Sequence, residues 1–232
     1  MLGMTLRNAL PEHHLSSDSK DVIKLAMGLT ATMSALVLAL LIASAKSSYD
    51  AQRNELTQIS ANIILLDRIL EHYGPEAKDA RGMLRGFVVN MIDYIWPLDG
   101  SPTRKVDSSR GDALYDKIES FSPRNDAQRA LQAQAQKTTI DLAQTRFLLM
   151  EQGGSSIPMP FLVLLIFWVT IIFLSFGLFA PRNATVIATL LLCAFSVSGA
   201  IFLILELDRP FVGIIQISSA PMRNAVARIG RQ

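Results

Sequence analysis

Two apolar runs in the second half of the chain, Ile157 to Phe179 and Thr185 to Leu205, contain no charged residue, and only five residues, Ala180 to Ala184, separate them. Each run is long enough to cross a hydrocarbon core as a helix at roughly 1.5 Å per residue. The connection, with Pro181, Arg182 and Asn183, has room only for a tight turn. Backbone groups in lipid must be satisfied within their own segment, so the pair predicts a transmembrane helical hairpin.

A third uncharged run, Leu25 to Ala45, is bracketed by Lys24 and Lys46 and predicts a first span. Ala43-Ser44-Ala45 has the small-x-small form of a signal cleavage site. Signal apolar regions run to only about 7–15 residues, however, and this leader carries Asp18 and Asp21, which favours a span that is retained. Half of the 232 residues are hydrophobic, in keeping with a membrane protein. A net charge of +2 leaves no footprint for nucleic acid.

From Leu29 through Tyr73 the chain has neither Gly nor Pro, so the first span is expected to continue into the next segment as one helix of about 50 residues. Past the apolar run, Leu56, Ile59, Ile63, Leu66, Leu70 and Tyr73 recur at 3-4-3-4-3 spacing and form one stripe. Gly74-Pro75 then turns the chain, Gly ending one helix and Pro opening the next. A returning helix, about Glu76 to Trp96, offers Ala80, Leu84, Phe87, Met91 and Ile95 as the matching face. After a polar linker at 97–110, Leu114, Ile118 and Phe121 mark a short helix. Asn125 or Asp126 can cap a longer one to Glu151, with Ala127, Leu131, Ala135, Leu142 and Leu149 inward. Gly153-Gly154 reads as a hinge into the hairpin.

The fold expected is therefore an all-α integral membrane protein with three transmembrane helices and a helical bundle inserted between the first and second. Its parts are a polar segment at 1–24, a span at 25–45, the bundle at 46–156, the hairpin at 157–205, and a junction with an amphipathic tail at 206–232. In the tail, Ser219 and Pro221 predict a cap and first helical position, with Met222, Val226 and Ile229 on one side. The tail is expected to lie on the membrane or against the bundle. Lys46, Arg53, Arg146, Arg209, Arg223, Arg228 and Arg231 outnumber Arg7, Lys20, Lys24 and Arg182 near the span ends, which predicts a cytoplasmic bundle and tail.

Two faces within the spans carry small or polar residues. On the first, Gly28, Thr32, Ala35, Ala39 and Ala43 suit either close helix packing or a pore lining. On the third, Thr185, Thr189, Ser196 and Gly199 lead at 4-7-3-7 spacing to Glu206. The junction Glu206, Asp208, Arg209, Pro210 and Phe211 places charge at a membrane edge and a forced helix stop at Pro210, and is expected to be an architectural corner. No nucleotide loop, zinc-protease motif or nucleophile elbow occurs, so no enzyme, catalytic residue or cofactor is expected. Adjacent His13 and His14 suit a metal poorly, and the single Cys193 can form neither an intrachain disulfide nor a thiol metal site.

The tail segments Gly199-Ala-Ile-Phe-Leu-Ile-Leu-Glu-Leu-Asp-Arg-Pro-Phe211 and Ile217-Ser-Ser-Ala-Pro-Met-Arg223 resemble the signature end of the bacterial bestrophin-like DUF4239 membrane family. Leu10-Pro-Glu-His-His-Leu-Ser16, Tyr73-Gly-Pro-Glu76 and Phe179-Ala-Pro-Arg-Asn-Ala-Thr185 fit as well. The resemblance implies a bacterial inner-membrane protein whose partners are the lipid bilayer, further copies of itself and ions. Many members have a fourth span ahead of the Leu10 block; this chain has only Met1 to Asn8 ahead of Ala9 and Leu10, so it either starts late or lacks that span. The family's name records a likeness to bestrophins, which are oligomeric anion channels, so an oligomeric channel is the function implied. A non-conducting scaffold or signalling protein, whose bundle binds a protein partner, is the alternative.

Overall fold

The computed structural model describes residues 17–97, 109–151, 157–179, 181 and 183–230; the His13-His14 pair, most of the 97–110 linker, the Gly153-Gly154 hinge and Arg182 lie outside them. Among the described residues all regular structure is helical. The helices are α1 (Ser17–Tyr73), α2 (Lys78–Ile95), α3 (Ser109–Glu119), α4 (Asp126–Glu151), α5 (Met159–Phe179), α6 (Ala184–Leu207) and α7 (Ala220–Arg228), with a 3-10 turn, Pro75–Ala77, ahead of α2. Three of them, α1, α5 and α6, are long and apolar enough to cross a membrane. The absence of a breaker between Leu29 and Tyr73 is realised as a single helix of 57 residues.

The chain forms two compact units, Met1–Ser48 with Ser155–Asp208 and Tyr49–Gly154 with Arg209–Gln232. In the first, Leu41, Ala45, Ile157, Leu162, Leu165 and Ile204 form a small apolar core. α6 is capped by Asn183, whose side-chain Oδ1 accepts from the Val186 N–H at 2.8 Å and so satisfies one of the donors a helix start leaves open. Its end follows from Pro210: α6 stops at Leu207, three residues before a ring that would clash with the preceding turn.

In the second unit, all six residues of the α1 stripe from Leu56 to Tyr73 are buried, as their spacing predicts. They pack on Ala77, Ala80, Leu84, Phe87, Val88, Met91 and Ile92 from the returning arm. Val88 and Ile92 are buried where the sequence singled out Ile95, which is half-buried, so the face of α2 is wider than one row. The turn between the two arms depends on Gly74, whose φ of 124° is unfavourable for any side chain. The last carbonyl of α1, at Tyr73, accepts from Gln128 Nε2 at 2.9 Å, an end cap supplied by a distant helix.

Asn125, rather than Asp126, caps α4: its Oδ1 accepts from the Gln128 N–H at 2.8 Å. Two expectations need correcting. Ala127 is exposed in the first turn of α4, and the helix buries Thr138, Thr139 and Thr145 beside Ala135, Leu142 and Leu149. The threonines are tolerated because each hydroxyl donates to a carbonyl one turn back, at 2.8 to 2.9 Å. Ser219 makes no side-chain cap; the neighbouring Ser218 Oγ accepts from the Ala220 N–H at 3.2 Å instead. Phe121 lies just beyond α3 and stacks on Tyr73 with ring centroids 4.6 Å apart.

The tail settles against the bundle. Ile217, Met222, Ala225 and Ile229 are buried in the same core as α1 and α2. Burying one such aliphatic side chain contributes about 1.5–3 kcal/mol, enough in combination to hold a helix of nine residues that has no strength alone.

Candidate functional site

Gly28, Thr32, Ala35, Ala39 and Ala43 are all exposed on α1, while Ser34, Leu41 and Ala45 are the buried positions of the same stretch. None of the five thus belongs to the core formed with α5 and α6, although Ala35 borders the cavity beside it. Among the described residues, a Cβ added at Gly28 would meet nothing within 4 Å. The Thr32 hydroxyl donates to the Gly28 carbonyl at 2.7 Å.

The corresponding face of α6 is exposed as well: Thr185, Thr189, Ser196 and Gly199. Thr189 donates to the Thr185 carbonyl at 2.9 Å, and Ser196 to that of Leu192 at 3.0 Å. Between α1, α5 and α6 lies an apolar cavity of about 570 Å³, lined in part by Ser34, Ala35, Phe173, Thr185, Thr189 and Cys193. It brings together Ala35 from one sequence stripe and Thr185 and Thr189 from the other; Gly28, Thr32, Ala39, Ala43, Ser196 and Gly199 stay outside it. Phe173 and Cys193 were not singled out by the sequence, since a Phe or Cys in an apolar span carries no signal distinguishing a cavity wall from a lipid contact.

The junction residues divide between the two units. Glu206 stands in the last turn of α6 and Asp208 at its C-cap, both half-buried. The Asp208 N–H donates to the Ile204 carbonyl at 3.1 Å. Arg209 is exposed, Pro210 buried, and Phe211 meets the edge of Trp96 with ring centroids 5.7 Å apart and planes at 86°. The Pro210 carbonyl accepts from the Ile217 N–H at 2.7 Å, and the Ile217 carbonyl accepts from Trp96 Nε1 at 3.1 Å. Pro210 and Phe211 thus open a closed loop fastened on Trp96, whose apolar ring and single donor suit a half-buried site. Trp96 is the residue the sequence did not mark; an indole beside Pro97 at a helix end offers only the general hint that its N–H requires an acceptor.

A second polar centre also escaped the sequence. Asp67 on α1 and Arg81 on α2 form a two-pronged pair, Nε to Oδ1 at 2.7 Å and Nη2 to Oδ2 at 3.1 Å, with Glu71 3.7 Å from the same Nη2. The hydrogen bonds that Arg81 donates to Asp67 hold its guanidinium above the ordinary range, against the opposing effect of burial. Among the described residues, no group of three or more His, Cys, Asp or Glu side chains is placed to hold a metal.

Known proteins bear on this architecture in three ways. The Bestrophin-like domain model matches residues 1–222. No curated protein sequence matches the chain. Among solved structures, a point variant of a bacterial bestrophin homologue from Klebsiella pneumoniae superposes with a TM-score of 0.71 at 12% identity, covering 89% of this chain and 88% of its own. A second variant of that homologue gives 0.65 at 14% identity, over 89% and 88%. A variant of a membrane protein gives 0.72 at 12%, over 99% and 96%. At such identities the structures establish a shared fold; the domain match, over nearly the whole length, establishes kinship, and the chain belongs to the Bestrophin-like family.

Proposed function

We propose that the protein is the protomer of an oligomeric channel for small ions in the bacterial inner membrane, with its helical bundle and C-terminal tail in the cytoplasm. The observation that carries this reading is the exposure of Gly28, Thr32, Ala35, Ala39 and Ala43 on one face of α1. A row of small residues allows helices to approach closely or leaves an open path between them, and among the described residues all five stay exposed, with only Ala35 bordering the cavity with α5 and α6. In an oligomer the face meets either a neighbouring copy or the central axis. The family supports an oligomer, since bestrophins are oligomeric channels. The excess of Lys and Arg on the bundle side supports the orientation. Glu206, Asp208 and Arg209 then act as helix-end fixtures near the cytoplasmic mouth, not as reactive groups.

The test is reconstitution of purified protein in liposomes, with separate flux assays for anions and cations and the oligomeric state measured in parallel. Flux carried by a stable oligomer, altered in sign or size by substitutions on the α1 face, is the expected result. A monomer, or an oligomer that passes no ion, would leave the scaffold reading in its place.

A further inference from the structure

We propose that the cleft between the Gly74-Pro75 corner and the C-terminal helix α7 binds a diphosphate-type anion carried by a soluble molecule. Two adjoining cavities, of about 270 and 550 Å³, share Glu71, Arg81 and Ile229 as common wall. Basic side chains enter from three helices: Arg68 from α1, Lys78, Arg81 and Arg85 from α2, and Arg228 from α7. The α2 residues stand at i, i+3 and i+7, so they share one face of the helix.

The cleft's own carboxylates do not neutralise this cluster. Asp67 and Glu71 are the two acids in the lining, and both are engaged by Arg81. Among the described residues, no carboxylate lies within ion-pair distance of Arg68, Lys78, Arg85 or Arg228. Five cations against two acids leave three positive charges in excess. Between Lys78 and Arg85 the wall is Gly82, where even a Cβ would meet nothing within 4 Å, so an anion can come close to the α2 backbone. Gly74 and Gly230 widen the same cavity.

The geometry selects the ligand class. Like-charged side chains converging from three helices suit an anion with several charges held close together, which a diphosphate provides and a single carboxylate does not. Guanidinium forks match phosphate oxygens in pairs, while Lys78 supplies a point charge. Arg81, locked on Asp67 and Glu71, positions the wall and is not itself the free binding group. Because the four free cations are exposed, each contact is screened and individually weak, and affinity depends on several acting together.

Inorganic pyrophosphate is titrated by calorimetry into the full chain held in phosphatidylcholine nanodiscs, alongside the K78Q/R85Q and R68Q/R228Q double variants. Lys137→Gln, which removes an exposed cation of α4, is the control. Either double variant is expected to weaken binding by roughly tenfold or more, with the control within about twofold. The substituted positions are exposed, and circular dichroism confirms that each variant is folded. Absence of pyrophosphate binding, or binding undiminished in both double variants, overturns the proposal.

Discussion

Arg81 grips Asp67 through two parallel hydrogen bonds, 2.7 and 3.1 Å long, between residues placed seven before and seven after Gly74. The pair fastens the two arms of the turn at the level where each has made two helical turns from it. Asp67→Ala removes a nearly buried acceptor and leaves Arg81 without its main partner. Because Arg81 retains some access to water, the expected loss is about 2 kcal/mol, below the range for a fully buried pair. Thermal or urea unfolding in detergent measures it, and Arg81→Lys should lose part of the same amount because an ammonium cannot make the fork.

The pH dependence of that pair follows from the direction of the Arg81 shift. A folded-state value raised above the unfolded one gives a contribution that is complete below the ordinary arginine range and fades only as pH rises through the raised value. Arg81 therefore adds no loss of stability between neutral pH and about pH 10. Comparing the unfolding of the wild type and Arg81→Met across that interval should give a constant difference on the alkaline side of neutrality.

At Gly74, substitution by Ala is expected to cost about 1–2 kcal/mol. The cost lies in the backbone, because φ is 124° there; the nearest obstacle to a Cβ, Glu76 Oε2 at 2.9 Å, ends a flexible side chain that can move aside. Chemical denaturation should accordingly show the same penalty in a Glu76→Ala background, whereas a steric origin would abolish it.

The tail's attachment depends on Trp96 and on the buried face of α7. Trp96→Phe keeps a ring for Phe211 but leaves the Ile217 carbonyl without its indole donor, at a cost of about 1 kcal/mol. Ala225→Arg forces a charged chain into a fully buried position and should release α7 altogether. Trypsin reports both: cleavage at Arg223 and Arg228 should quicken modestly in the first variant and sharply in the second.

On the exposed face of α1, Ala39→Trp is expected to leave the protomer folded, because Ala39 is exposed among the described residues, while disrupting assembly. Size-exclusion chromatography with light scattering separates the two effects. Glu206→Gln should likewise disturb assembly before it alters flux; normal oligomers with changed ion selectivity would instead give Glu206 a direct part in conduction.

Much of this architecture was legible because two of its signals are unambiguous. The absence of Gly and Pro from Leu29 to Tyr73 predicted the long first helix, and the stripe from Leu56 to Tyr73 predicted the buried face of the bundle residue by residue. The spans resisted the same treatment. Leu40 is exposed and Leu41 buried, yet both are leucine in a run that is apolar on every side, so periodicity cannot tell a lipid-facing position from a protein-facing one. Ala127 misled for a related reason: a small residue in a helical pattern fits either face. The Asp67–Arg81 pair was missed because charged residues default to solvent, and only their equal distance from Gly74 hinted that they meet.

The hydroxyls of the two membrane faces have one further consequence. Thr32, Thr189 and Ser196 each spend their proton on a carbonyl of their own helix, 2.7 to 3.0 Å away. What such a hydroxyl then offers to its surroundings is a pair of oxygen lone pairs, not a hydrogen. A conduction path walled by these residues would greet ions with partial negative charge, a lining that suits potassium or sodium better than chloride. Reversal potentials under a salt gradient would then favour cations, and would turn toward chloride only if the hydroxyls swing off their carbonyls.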